Sequence, residues 1–197
     1  MIIKMETVAT KKKLETALKK ALKQALIEME SVGSKSFSEE SLRYLVMSEI
    51  SKTEFWGTFP NQLNSENKLL FEQEYKRHKD RKETFKPDIV SINKHEHLLA
   101  IELKIKNDIK DVDKCKEYID PKKGSTCFKL AAAVYAIHKD DYQFAKHVEP
   151  KIKNAIKKRI SRENGRLLVA YIEWPDDNRK NGLKINVKNK ICLEWIY

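Results

Sequence analysis

The chain has 197 residues, with 40 lysines and arginines against 29 aspartates and glutamates, a formal net charge of +11 and 35% charged residues. This length predicts one domain with a core of its own, and the basic balance suits a polyanionic partner such as nucleic acid as well as a plain solvated surface. No apolar run approaches a membrane span, the opening Met-Ile-Ile-Lys-Met-Glu is too short for a secretory signal, and Cys115, Cys127 and Cys192 form no C-x-x-C pair, which argues against a zinc site and fits a reducing cytoplasm.

Residues 10–32 predict an amphipathic helix. Leu14, Leu18, Leu22 and Leu26 recur every four residues beside Ala17, Ala21 and Ala25, and Gly33 is placed to end it. The stripe admits three uses: packing on the rest of the chain, pairing with its copy in a homodimer, or laying Lys11, Lys12, Lys13, Lys19, Lys20 and Lys23 on nucleic acid. It lacks aromatic anchors for a membrane. Residues 1–35 thus form a basic helix and 36–197 the main domain. Ser36 or Ser38 caps a second helix that runs to Lys52, with Glu39 as capping-box partner of Ser36. In the loop after it, Trp56 and Phe59 either stack on bases or plug the loop from beneath.

Lys68–Tyr75 reads as a strand. Ile89–Ile92 and Leu98–Ile101 are apolar runs flanking the turn Asn93–His97, the pattern of a β-hairpin. Asp108–Tyr118 reads as a helix, and Pro121–Gly124 as a turn carrying Lys122 and Lys123 towards a substrate. Phe128–Ile137 is ambiguous: its alanines favour helix, its short uniform apolarity favours a buried strand. Residues 140–162 predict a long basic helix kinked or interrupted at Pro150, on which Lys151, Lys153, Lys157, Lys158, Arg159 and Arg162 form either a binding face or a solvated one. Arg166–Trp174 is a strand, Pro175–Gly182 a turn that includes Asp176 and Asp177, and Leu183–Val187 with Ile191–Ile196 a terminal hairpin. No P-loop segment occurs.

The hairpin carries the chemistry. Asp88 precedes its first strand and Glu102 ends its second, so pairing brings the two carboxylates together, and alternation puts Glu102 and Lys104 on one face with Leu103 pointing away. Two carboxylates at the end of a sheet suit a hard divalent cation that takes oxygen ligands and retains waters. Such an ion lowers the pKa of water and stabilises charge on a phosphoryl oxygen. A lysine beside it orients or deprotonates the attacking water, or stabilises developing charge. His95 and His97 belong to the opposite end of the hairpin.

Pro87-Asp88, thirteen intervening residues, then Glu102-Leu103-Lys104 resembles the signature of the PD-(D/E)XK nuclease superfamily. The resemblance implies an α/β restriction-endonuclease-like core, with a central mixed β-sheet flanked by helices, and reads Phe128–Ile137 as a parallel strand. It implies Mg²⁺, with Mn²⁺ as a substitute, and hydrolysis of phosphodiester bonds. It implies metal ligation by Asp88, Glu102 and Leu103, and by a glutamate of the first core helix, Glu49 or Glu40, with Glu49 preferred. Lys104 is implied as catalytic, and Glu74, or Glu72 on the same strand face, as a further acidic group. Lys114, Lys122, Lys123, Lys157, Lys158 and Arg159 are the expected nucleic-acid contacts. DNA is expected before RNA, in restriction, phage defence, repair or recombination. The alternatives are a catalytically silent nucleic-acid-binding module and a protein-interaction module on the same fold.

Overall fold

A computed structural model describes residues 2–32, 37–53, 68–71, 75–76, 84–92, 97–105, 111–120, 127–136, 146–173 and 190–197. The elements in chain order are α1 (Ile2–Val32), α2 (Glu39–Ser51), β1 (Lys68–Phe71), β2 (Tyr75–Lys76), β3 (Thr84–Phe85), β4 (Ile89–Ile92), β5 (His97–Lys104), α3 (Asp111–Ile119), β6 (Leu130–Tyr135), α4 (Glu149–Lys157), β7 (Leu167–Glu173) and β8 (Lys190–Trp195). Six strands form one mixed sheet in the order β1-β4-β5-β6-β7-β8, and β2 pairs with β3 separately. The pairs β1/β4, β4/β5 and β7/β8 are antiparallel. The centre, β5/β6/β7, is parallel. This is an α/β fold, a mixed sheet with helices on both faces.

Strand alternation divides the core. Ile89, Leu99, Ile101 and Leu103 face α1 and α2, where Leu14, Leu18, Leu22, Leu42, Val46 and Ile50 meet them. Val90, Ala100, Ala131 and Ala133 face α3 and α4, against Val112, Cys115, Tyr118, Ile119, Ile152 and Ala155. The β6 segment is buried on both faces, so its alanines are read by the sheet rather than as helix formers. Their small size lets α3 settle low on the sheet, where the Cys115 thiol donates to the Ala132 carbonyl at 3.4 Å.

α1 is a layer of this fold. Leu18, Ala21, Leu22 and Ala25 are fully buried, so the leucine stripe is used within the chain and does not serve a homodimer seam. Lys11, expected on the basic face, is also buried: its ammonium lies 5.4 Å from the Trp195 ring centroid and donates to the Glu163 carbonyl. Burial, then Arg166, holds that ammonium below its ordinary pKa. Glu15 ties the same region together, accepting from Arg162 Nε and Trp195 Nε1, each at 2.7 Å.

The helix ends resolve two sequence expectations. α2 is capped by Ser38, whose hydroxyl accepts from the Ser41 N–H at 3.0 Å. The chain is helical at 146–147, turns at Val148 and is helical again from Glu149, so the expected interruption falls at the start of α4, with Pro150 in its first turn, where the missing N–H costs no helical bond. α4 ends after Lys157 in a Schellman arrangement: Ile160 N–H donates to Ala155 O and Arg159 N–H to Ile156 O, both at 3.0 Å, with Arg159 left-handed at φ 54°. The partner strand expected for β8 at 183–187 lies outside the described residues; within them β8 pairs with β7.

Candidate active site

β4 and β5 pair with Ile89 opposite Ile101, so the next residue outward on each strand is Asp88 and Glu102. The Asp88 carboxylate is fixed from the backbone: Leu103 N–H donates to Oδ2 at 2.7 Å. Lys104 O accepts from Ala136 N–H across β5/β6. By alternation the Leu103 N–H and C=O therefore point the other way, to the Asp88 edge. Leu103 can contribute only that carbonyl to a cation.

Two helices aim their first turns at this end of β5. From α2, Glu39 Oε2 lies 3.4 Å from Lys104 Nζ, and Arg43 Nη2 lies 3.4 Å from Asp88 Oδ1. Glu39 and Arg43 are four residues apart and share a helix face. From α3, Lys114 Nζ lies 2.9 Å from Asp111 Oδ1 and 3.9 Å from Glu102 Oε2, while the Tyr118 hydroxyl donates to Glu102 Oε1. Asp111, Lys114 and Tyr118 recur at helical spacing on one face of α3.

These contacts set the charge states. Glu102 is 4% exposed, and its carboxyl is pushed up to about 8. Burial is the main cause; Tyr118 and Lys114 pull the value down while Asp88 and Asp111 push it up. Burial pulls the Lys104 ammonium down, but Glu39, Asp111 and Asp88 outweigh it and hold it above its ordinary value. Lys114 is likewise raised: burial lowers it, and Asp111 and Glu102 more than compensate. Tyr118 stays a neutral donor, raised by burial and by the Glu102 charge.

The structure thus gathers Asp88, Glu102, Leu103, Lys104 and Lys114. It does not bring Glu49 to them. Glu49 lies ten residues beyond Glu39, about 15 Å along the helix at 1.5 Å per residue, and its carboxylate pairs with Lys52. Glu39, read in the sequence only as a capping residue, stands at the site instead; Glu40 is exposed in the same turn. Lys157, Lys158 and Arg159 are exposed but leave α4 at the end where the parallel strands begin, opposite the carboxylates. The Arg166 guanidinium marks that end, donating to Phe128 O and Lys129 O just before β6. Glu74, Glu72, Lys122 and Lys123 lie outside the described residues, as do Trp56, Phe59, His95, Asp176 and Asp177. Sequence reasoning missed Arg43 and the Tyr118–Glu102 bond; the Asp111, Lys114, Tyr118 spacing was the available signal for the second.

Among the described residues no three His, Cys, Asp or Glu side chains converge as a metal cage. The donor set at the hairpin is two carboxylates and a strand-edge carbonyl, all oxygen, which fits an ion that takes one or two carboxylates and keeps its waters. The raised Glu102 carboxyl is the second point of fit: burial first, and then Asp88 and Asp111, oppose its ionisation, and a divalent cation is a partner that would favour its charged form. No protein-family model, curated protein or solved structure matches the chain.

Proposed function

We propose that this protein is a Mg²⁺-dependent nuclease that hydrolyses phosphodiester bonds, with DNA as its substrate. The observation that carries the reading is the meeting of Asp88 and Glu102 across β4/β5 with a charged Lys104 two residues further on. Asp88, Glu102 and the Leu103 carbonyl would hold the ion. Once bound, Mg²⁺ supplies Lewis acidity, easing deprotonation of water and neutralising charge on the phosphoryl oxygens.

The chain's own groups divide the remaining work. Leu103 N–H and Arg43 fix the two oxygens of Asp88. Tyr118 fixes one oxygen of Glu102, and Lys114 stands beside the other. Lys104 is held protonated by Glu39, so it donates a hydrogen bond to the attacking water or to a phosphoryl oxygen rather than taking a proton. The new bond joins the water oxygen to phosphorus while that water gives up a proton to bulk solvent, and the ester oxygen leaves with the bonding pair and takes a proton from solvent. Positioning and charge stabilisation therefore account for the role of each group.

The test is cleavage of supercoiled plasmid, linear duplex, single-stranded DNA and structured RNA with Mg²⁺ or Mn²⁺, against a chelator control. Asp88→Ala, Glu102→Ala and Lys104→Ala should each abolish cutting while retaining nucleic-acid binding. Cutting by Lys104→Ala at the wild-type rate would remove its catalytic role. Binding without cutting on every substrate would leave a nucleic-acid-binding module.

A further inference from the structure

At the other end of α2 the two N-terminal helices enclose a groove of about 440 Å³. Lys12, Lys13 and Lys20 line it from α1 and Lys52 from the end of α2, over a floor of Ala9 and Ala17. Its one acidic group, Glu49, is taken by Lys52. Among the described residues no carboxylate pairs with Lys12 or Lys20, both exposed and two helical turns apart. Concave shape, a small-residue floor and a surplus of ammonium groups are the chemistry that recognises a phosphodiester backbone. A groove of about 440 Å³ has room for one backbone and not for a double helix.

We propose that this α1/α2 groove binds the sugar–phosphate backbone of a single nucleic-acid strand, as a second subsite remote from the carboxylates. The proposal rests on the nuclease reading for its purpose but not for its test. α2 carries Glu39 and Arg43 at the hairpin and Glu49 and Lys52 at the groove. A strand held at both ends spans about 15 Å along the helix, roughly four to five nucleotides at ~3.4 Å each when stacked.

The experiment measures binding of a fluorescent oligothymidylate in EDTA, where no cutting occurs, as a function of salt. Lys12→Gln/Lys20→Gln is compared with Lys19→Gln/Lys23→Gln, which removes the same charge from the same helix outside the groove. Removing one phosphate-binding ammonium should flatten the log–log salt slope by about 0.7, so the groove pair should lose about 1.4 in slope and about 25-fold in affinity at 0.1 M salt. The control pair should lose much less. Lys12→Gln alone should lose about 5-fold and covers the case in which the double variant folds poorly. Equal losses in the two pairs, or the same loss for a blunt duplex as for the single strand, would overturn the proposal. Failure of the nuclease reading looks different: no cleavage by the wild type, with the groove variants still weakened.

Discussion

Replacing Glu102 with Gln tests the electrostatic core of the site without cutting anything. In the metal-free protein the folded carboxyl ionises near 8, against an ordinary value of 4.5. The folded value is raised, so over that interval the folded chain keeps a proton that the unfolded chain has lost. Stability therefore falls as pH rises through the window, and the loss is complete above pH 8. At about 1.36 kcal/mol per pH unit the full interval corresponds to ~5 kcal/mol, an upper bound that relaxation around the carboxylate reduces to a few. Gln at this position is neutral at every pH and keeps a carbonyl for the Tyr118 hydroxyl. Urea unfolding in EDTA between pH 4.5 and 8.5 should show similar stabilities for the two proteins at the acid end, and an increasing advantage for Glu102→Gln towards pH 8. Mg²⁺ or Mn²⁺ should restore the wild type alone, with uptake of the ion releasing a proton. A stability difference that stays flat with pH would refute the argument, because Glu102 would then ionise as an ordinary surface carboxylate.

Three further variants separate packing, positioning and charge. Tyr118→Phe removes the donor that lowers the Glu102 pKa, so the same pH series should show the falling limb continuing to higher pH, with a cost of about 1 kcal/mol at acid pH. Leu18→Ala hollows a fully buried position and should cost about 2–5 kcal/mol in urea unfolding; light scattering should show its mass unchanged, since the stripe faces its own sheet. Arg159→Gly relieves a left-handed residue at the C-terminus of α4 and should raise stability by about 0.5–1 kcal/mol, the helical penalty less the added chain entropy of glycine. If nucleic-acid affinity falls no more than removal of one general positive charge predicts, Arg159 is a capping residue and not a contact.

What the residue pattern conveyed, and what it withheld, follows from range. The β4/β5 pair was readable because a period of two and the punctuation by Pro87 act within fifteen residues. The register then forces Asp88 opposite Glu102. The stripe on α1 was readable as buried surface, but periodicity says which face is apolar and not what covers it; α2 and the sheet do. The helical glutamate at the site was misplaced for a related reason. Glu39 and Glu49 lie on the same helix, and only the direction in which α2 crosses the sheet decides that its first turn, and not its last, meets β5. Pro150 was legible as an interruption of the basic pattern, but the pattern did not say that the second helix begins with it in its first turn.

The charges around β5 give the site a definite state before any substrate arrives. Among the described residues Asp88, Glu102, Asp111 and Glu39 face Arg43, Lys104 and Lys114 within a single connected set of contacts. With Glu102 protonated, the state its raised pKa favours at neutral pH, three carboxylates balance three cations and the cluster has no net attraction for a phosphodiester. Exchanging that one proton for a divalent cation adds two positive charges and one negative, so the same groups become net positive by one. Under the proposed reading, affinity for the scissile phosphate is thus created by occupancy and is absent without it, while the lysines of the α1/α2 groove keep their charge in either state. On that reading a strand would be captured remotely and stay uncut until the carboxylates exchange their proton for the ion.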